Sequence, residues 1–211
     1  MSKRKNKSEL LHGSTELRII GGHFRGSKLR YHGDIVTRPM KERVREAIFN
    51  LVSVETKGKH AIDLFAGTGA LGLEALSRGA VSATFIEKHI PTARVVEENI
   101  AALGVEDRTE LLMTSAFLWG KRDLPNAESL AEKPWLVFCS PPYSFFVDRQ
   151  DDMLSLITDM LKHAPSGSIF LVEADERFDF DLLPGGVRKE KRGEGWDVRT
   201  YYPAVVGVWR T

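Results

Sequence analysis

Two short stretches carry residue types that can do chemistry. In DLFAGTGALG, residues 63–72, three glycines stand as Gly67-x-Gly69-x-x-Gly72, and the acid Glu87 follows twenty residues after the first. Glycines let a backbone approach a ligand where a Cβ would collide, and a carboxylate ending the next strand can accept hydrogen bonds from a ribose diol. The pattern predicts an adenosine-cofactor loop; it does not choose between NAD and other adenosine cofactors. The second stretch is WLVFCSPPYSFF, residues 135–146, where an apolar run meets a hydroxyl, two prolines and a ring. Proline lacks the N–H that a ladder needs and holds the residue before it extended. A strand must therefore stop at Cys139 or Ser140, and a rigid turn presents Ser140, Pro141, Pro142 and Tyr143.

The elements that position these residues follow from apolar spacing. HAIDLF (60–65), SATFIE (82–87), TELLM (109–113), WLVFC (135–139) and SIFLVEA (168–174) read as strands. Between them, helical patterns are expected over ALGLEALSRG, over about 92–103 and over 151–164. Such alternation predicts an α/β, Rossmann-like fold, a mostly parallel sheet with helices on both faces. GWDVRTYYP and AVVGVWR, parted by little more than Pro203, should close the sheet as a C-terminal antiparallel hairpin. WGKRDLPNAESLAEKP (119–134) reads as a polar surface loop with at most one helical turn. In an open sheet, ligands lie beyond the carboxyl ends of the strands, near the point where strand order reverses. Asp63, Gly67, Glu87, Ser115 and Ser140 all fall at or just past such ends.

Charge is unevenly spread. Twelve Lys or Arg and five Asp or Glu fall in residues 1–50, a balance of +7 against −6 for the remainder and +1 overall. A basic front on an acidic body suits a polyanionic partner. LRIIGGHFRGSKLRY reads as a short twisted hairpin with one basic side, and TRPMKERVREAIFNLV as a helix opened by Pro39. Arg18, Arg25, Lys28, Arg38, Lys41, Arg43 and Arg45 are the candidate phosphate contacts. Three segments are expected: a basic, disordered tail (1–16), a hairpin-and-helix extension (17–52) and a main domain (53–211). The lone Cys139 excludes a disulfide framework, the six histidines have no metal-ligand spacing, and no run of about 18 apolar residues offers a membrane span. A soluble, cytoplasmic protein is expected, with a monomer as the default.

Beside an adenosine crevice, the Ser-Pro-Pro-Tyr turn resembles the D/N-P-P-Y/F signature of S-adenosylmethionine-dependent amino methyltransferases. LRIIGGHFRGSKL, TRPMKERVREAIFN, DLFAGTGALGLEALSRGA with Glu87, and the strand ending in PPY are together similar to the bacterial RsmD family, which methylates the exocyclic N2 of a guanine in 16S ribosomal RNA. The likeness runs from about Leu17 to Trp209. It implies a class I methyltransferase fold and S-adenosylmethionine bound by Asp63, Phe65, Gly67, Thr68, Gly69, Glu87, Ser115 and Ala116. It also implies a catalytic turn in which Ser140 and a backbone carbonyl of Ser140-Pro141 accept hydrogen bonds from the target amine while Tyr143 stacks on the base. The implied partner is 16S ribosomal RNA or the assembling small subunit.

Two positions depart from that pattern. Ser140 stands where Asp or Asn is expected, and Ser115 where an Asp meets the adenine amine. A hydroxyl accepts a hydrogen bond without charge, a loss of about 1–2 kcal/mol at either site. Two further readings therefore stay open: a catalytically degenerate relative that binds RNA or ribosomal particles, and a methyltransferase acting on another nucleic-acid amine. An NAD-dependent oxidoreductase would reuse the glycine loop but leave the Pro-Pro-Tyr turn and the basic front without a role.

Overall fold

The computed structural model describes residues 17–31, 40–127, 130, 132–190 and 193–211. The basic tail and the stretch holding Arg38 and Pro39 lie outside the described residues. The chain enters as an antiparallel hairpin, β1 (Leu17–Arg18) and β2 (Lys28–Leu29), followed by helix α1 (Glu42–Val52). Along α1, Val44, Ile48, Phe49 and Val52 are buried, the helical spacing that lays one face on a core.

Strand and helix then alternate: β3 (His60–Asp63), α2 (Ala70–Ser77), β4 (Ser82–Ile86), α3 (Ile90–Leu103), β5 (Thr109–Leu112), α4 (Ala116–Arg122), β6 (Trp135–Cys139), α5 (Phe145–Asp148), α6 (Gln150–His163) and β7 (Ile169–Asp175). The last strands are β8 (Asp197–Tyr201) and β9 (Ala204–Arg210). Seven strands form one sheet in the order β5-β4-β3-β6-β7-β9-β8. The first five pair in parallel, as the alternation predicts, and β9 joins β7 and β8 antiparallel, as the two C-terminal strand-like runs predict. All five residues of β6 are buried, which fits a central parallel strand covered on both faces.

After β3 the chain builds outward through β4 to β5 and then crosses back to β6. Strand order therefore reverses between β3 and β6, where Asp63 stands opposite Phe138. One apolar cluster, with Phe49, Leu73, Phe85 and Phe138, fills one side of the sheet; the hairpin's Leu17, Ile19 and Leu29 belong to it. A second cluster, with Trp135, Met153, Phe170 and Trp196, fills the other. The hairpin is bolted to α2 by polar contacts as well: Glu74 Oε2 accepts from Ile20 N (2.7 Å), and Glu74 Oε1 from Gly21 N (2.8 Å) and Arg78 Nε (2.7 Å).

Several boundaries differ from the sequence expectation, most of them by one or two residues. α1 is not opened by Pro39: Met40 and Lys41 are non-helical and the extended Lys41 is the N-cap, so the helix starts at Glu42. β3 ends at Asp63, because Leu64 and Phe65 already bend into the glycine loop. The expected loop from residue 119 starts instead inside α4, whose Trp119 is buried. α4 packs closely on α6: a Cβ on Gly120 would stand 2.6 Å from Leu156 Cδ1.

Candidate active site

At the carboxyl end of β3, Asp63 is fully buried. Its Oδ2 accepts from Gly72 N at 3.2 Å, while Oδ1 has no hydrogen-bond partner among the described residues. Burial pushes its carboxyl up to about 7; the neighbouring Glu87 charge adds to the rise, and the N–H groups of Gly72 and Phe65 oppose it. Gly67 (φ 55°) and Gly69 (φ 79°) take left-handed backbone conformations that a side chain would strain. Gly72 has a different job. A Cβ there would stand 2.3 Å from Phe85 Cε1, so its absence seats α2 on β4.

Glu87 follows β4 and does more than wait for a diol. Its Oε2 accepts from Gly67 N (3.0 Å) and its Oε1 from His89 N (2.8 Å), so it holds the loop it was expected to serve. Each carboxylate oxygen keeps further acceptor capacity. Thr68 is buried and its carbonyl accepts from Asn99 Nδ2 of α3 at 2.9 Å. The same amide group accepts from Arg30 N at 2.6 Å and donates to Arg30 O at 3.2 Å. Asn99 was not singled out from the sequence, where it is one polar residue on a helix.

Phe65, Phe117 and Phe145 stand with ring centroids 5.9–6.0 Å apart, and the Arg149 guanidinium lies 4.0 Å from the Phe117 centroid. Ser115 precedes α4 with an extended backbone, and its hydroxyl does not cap the helix. Ala116, the first helical residue, is buried. The eight candidate cofactor residues thus gather around the carboxyl edge of three adjacent strands, β3, β4 and β5. A glycine cradle beside a buried acceptor with an unused oxygen fits a ligand bearing donor groups.

The Ser140–Tyr143 turn follows β6 on the other side of the reversal point. Cys139 pairs with Val172, so the next residues, Ser140 and Glu173, come side by side. The Ser140 hydroxyl donates to Glu173 Oε2, and the Tyr143 hydroxyl donates to Glu173 Oε1 at 2.7 Å. Glu173 is 5% exposed. Burial holds its carboxyl above the usual range, against the two hydroxyl donors, which lower it. Pro141 is buried, Pro142 exposed and Tyr143 half-buried with its ring against the first apolar cluster. Sequence reasoning passed over Glu173. The available signal was one acid inside the apolar run SIFLVEA, since a charge in a central strand requires a partner.

The basic front divides. Arg25, Lys28, Lys41 and Arg43 are exposed, Arg18 pairs with Glu42 at 3.0 Å, and Arg43 Nη2 donates to the Tyr202 carbonyl. Arg45 is a correction: it is 1% exposed and cannot meet a phosphate from this position. It lies on the buried face of α1 next to Val44, and its Nη2 donates to the Arg18 carbonyl at 2.6 Å. Burial pulls its pKa down, partly offset by Glu74 and Glu42.

The model of the family described as "Conserved hypothetical protein 95" matches residues 17–198. The chain is 35% identical over 131 residues to Ribosomal RNA small subunit methyltransferase D of Escherichia coli (strain K12), a match that spans 62% of either chain. It is 32% identical over 159 residues to the protein of the same name from Haemophilus influenzae, covering 74% of this chain and 78% of that one. Among solved structures, a hypothetical protein of Thermus thermophilus superposes with a TM-score of 0.70 at 25% identity, over 92% of this chain and 99% of that one.

Proposed function

This chain belongs to the Conserved hypothetical protein 95 (RsmD) family, and from that membership we propose that it transfers a methyl group from S-adenosylmethionine to the exocyclic N2 amine of a guanine in 16S ribosomal RNA. The observation that carries the reading is the meeting of two motifs at the point where strand order reverses. The glycine loop after β3 and the Ser-Pro-Pro-Tyr turn after β6 leave the carboxyl ends of two adjacent parallel strands, whose last paired residues are Asp63 and Phe138. The relatives named as small-subunit ribosomal RNA methyltransferases support the substrate class.

The residues present fit the cofactor. Gly67 and Gly69 leave the loop open to a close ligand, Asp63 Oδ1 offers a buried acceptor, and Glu87 can add ribose hydroxyls to the two N–H groups it already accepts. Ser115 and Ala116 would border the adenine, with Phe65 as an apolar wall. S-adenosylmethionine supplies an electrophilic methyl group. An exocyclic amine is a weak nucleophile because its lone pair is delocalised into the ring, so positioning carries much of the acceleration. Ser140 and the Ser140-Pro141 backbone carbonyl would accept from the amine, and the Tyr143 ring would lie against a base drawn out of its stack. The exposed Arg25, Lys28, Lys41 and Arg43 would meet phosphates.

The test is incubation with radiolabelled S-adenosylmethionine and small-subunit RNA or particles, followed by nucleoside analysis. N2-methylguanosine is the expected product. Label on another amine would move the target, and no label in any RNA or particle would refute the assignment.

A further inference from the structure

We infer that Glu173 is the carboxylate of the transfer site, a positioning residue that acts through Ser140 and receives the proton the target amine must lose. The inference rests on the transfer reading above and deepens it. The signature that this turn resembles carries its acid or amide at the position of Ser140. Here that position holds a hydroxyl, and a buried acid stands beside it on β7, in hydrogen-bond contact with it. A charge in a central strand is costly unless a partner holds it. The groups facing this carboxylate are hydroxyls of the turn, Ser140 and Tyr143, with the uncharged Val206 opposite it on β9. No cation neutralises it in these contacts among the described residues, so packing alone gives no reason for an acid here.

The arrangement has a direction. With its hydrogen committed to Glu173, Ser140 Oγ turns its lone pairs outward and becomes an acceptor for an amine N–H. As the amine nitrogen's lone pair forms the bond to the methyl carbon, the carbon–sulfur pair departs onto sulfur and the nitrogen becomes cationic. Its surplus proton passes to Ser140 Oγ while the Ser140 proton passes to Glu173 Oε2, leaving a neutral secondary amine, a serine hydroxyl and a carboxylic acid. Tyr143 keeps Oε1 fixed throughout. The raised proton affinity of the buried carboxyl suits this step.

Glu173→Gln keeps the shape and one acceptor oxygen. Single-turnover transfer should fall at least about a hundredfold, and the acid limb of the pH–rate profile should vanish. S-adenosylhomocysteine and RNA affinities, read by calorimetry, should stay within about twofold of wild type on the same grounds. Ser140→Asp combined with Glu173→Gln returns the carboxylate to the turn and should recover at least about tenfold over the single variant, a rescue that a merely structural acid would not allow. Melting adds a readout without catalysis: the difference between variant and wild type should shift toward the variant as pH rises, because ionised Glu173 costs stability. Should Glu173→Gln not fold, Ser140→Ala cuts the same path and carries the same expected loss. Wild-type rate with an unchanged pH profile, no rescue in the double variant, or a pH-independent melting difference would each overturn the inference while the transfer reading stands. A wild-type protein that methylates no RNA amine would overturn both.

Discussion

Replacing Asp63 by Asn should stabilise the ligand-free protein at neutral and alkaline pH. The Asp63 carboxyl is buried and titrates at about 7 instead of the ordinary 3.8. A group whose folded pKa is raised stabilises the fold when protonated. That contribution is complete below the unfolded value and is lost as pH climbs from about 3.8 to about 7. A displacement of about three pH units at 1.36 kcal/mol each makes the ionised form costly by roughly 4 kcal/mol, an upper figure because the site relaxes. The amide introduced by Asp63→Asn carries no charge to desolvate, so the variant should gain up to that amount at pH 8 and little at pH 4. Glu87 contributes to the rise, so Glu87→Gln should move the wild-type titration downward. The assay is a urea denaturation series from pH 4 to pH 8.5 on both proteins. The same variants should differ in cofactor binding: a donor-bearing ligand at Asp63 Oδ1 favours the ionised carboxylate, so wild-type affinity should rise through pH 7 with proton release and the Asp63→Asn affinity should stay flat. Parallel stability curves for wild type and variant would refute the reasoning.

Four further outcomes are expected. Glu87→Ala should weaken S-adenosylhomocysteine binding at least about tenfold by calorimetry, because it removes the diol acceptor and frees Gly67 N and His89 N together. Arg25→Ala with Lys28→Ala should flatten the salt dependence of RNA affinity by about two phosphate contacts, whereas Arg45→Ala should leave the slope unchanged and cost about 1–3 kcal/mol of stability in denaturant titration. Ser140→Asp alone should lower methyl transfer, since two adjacent carboxylates cannot both ionise, although the signature alone would favour an acid there. Tyr143→Phe should retain more transfer than Tyr143→Ala, the first losing only the hydroxyl on Glu173 and the second also the ring; equal losses in single-turnover assays would remove the ring from the site.

The backbone geometry of the candidate site is legible in the sequence, and the reason is local. A glycine loop between strand and helix, and a proline pair closing an apolar run, report their own backbone geometry. Residues whose role depends on a neighbour from elsewhere in the chain did not report theirs. Glu173 becomes meaningful only when β7 lies against β6, and Asn99 only when α3 lies between the hairpin and the loop. Arg45 misled because basic spacing suggests an exposed face, while the stripe on α1 is wide enough to take in a guanidinium. The segment after Ser115 hid a helix for a related reason: polar ends mask a buried Trp119.

The amide of Asn99 reaches two segments that would face different ligands. It uses Oδ1 and Nδ2 on the backbone of Arg30 in the basic hairpin, and Nδ2 again on the carbonyl of Thr68 in the glycine loop. One planar group therefore cannot follow the hairpin without turning relative to the loop. If RNA displaces Arg30, the loop loses a constraint, and cofactor affinity changes by some factor; by thermodynamic reciprocity, bound cofactor must change RNA affinity by that same factor. Asn99→Ala should bring that factor toward one. The basic hairpin and the glycine loop would then recognise their ligands independently, each blind to whether the other is filled.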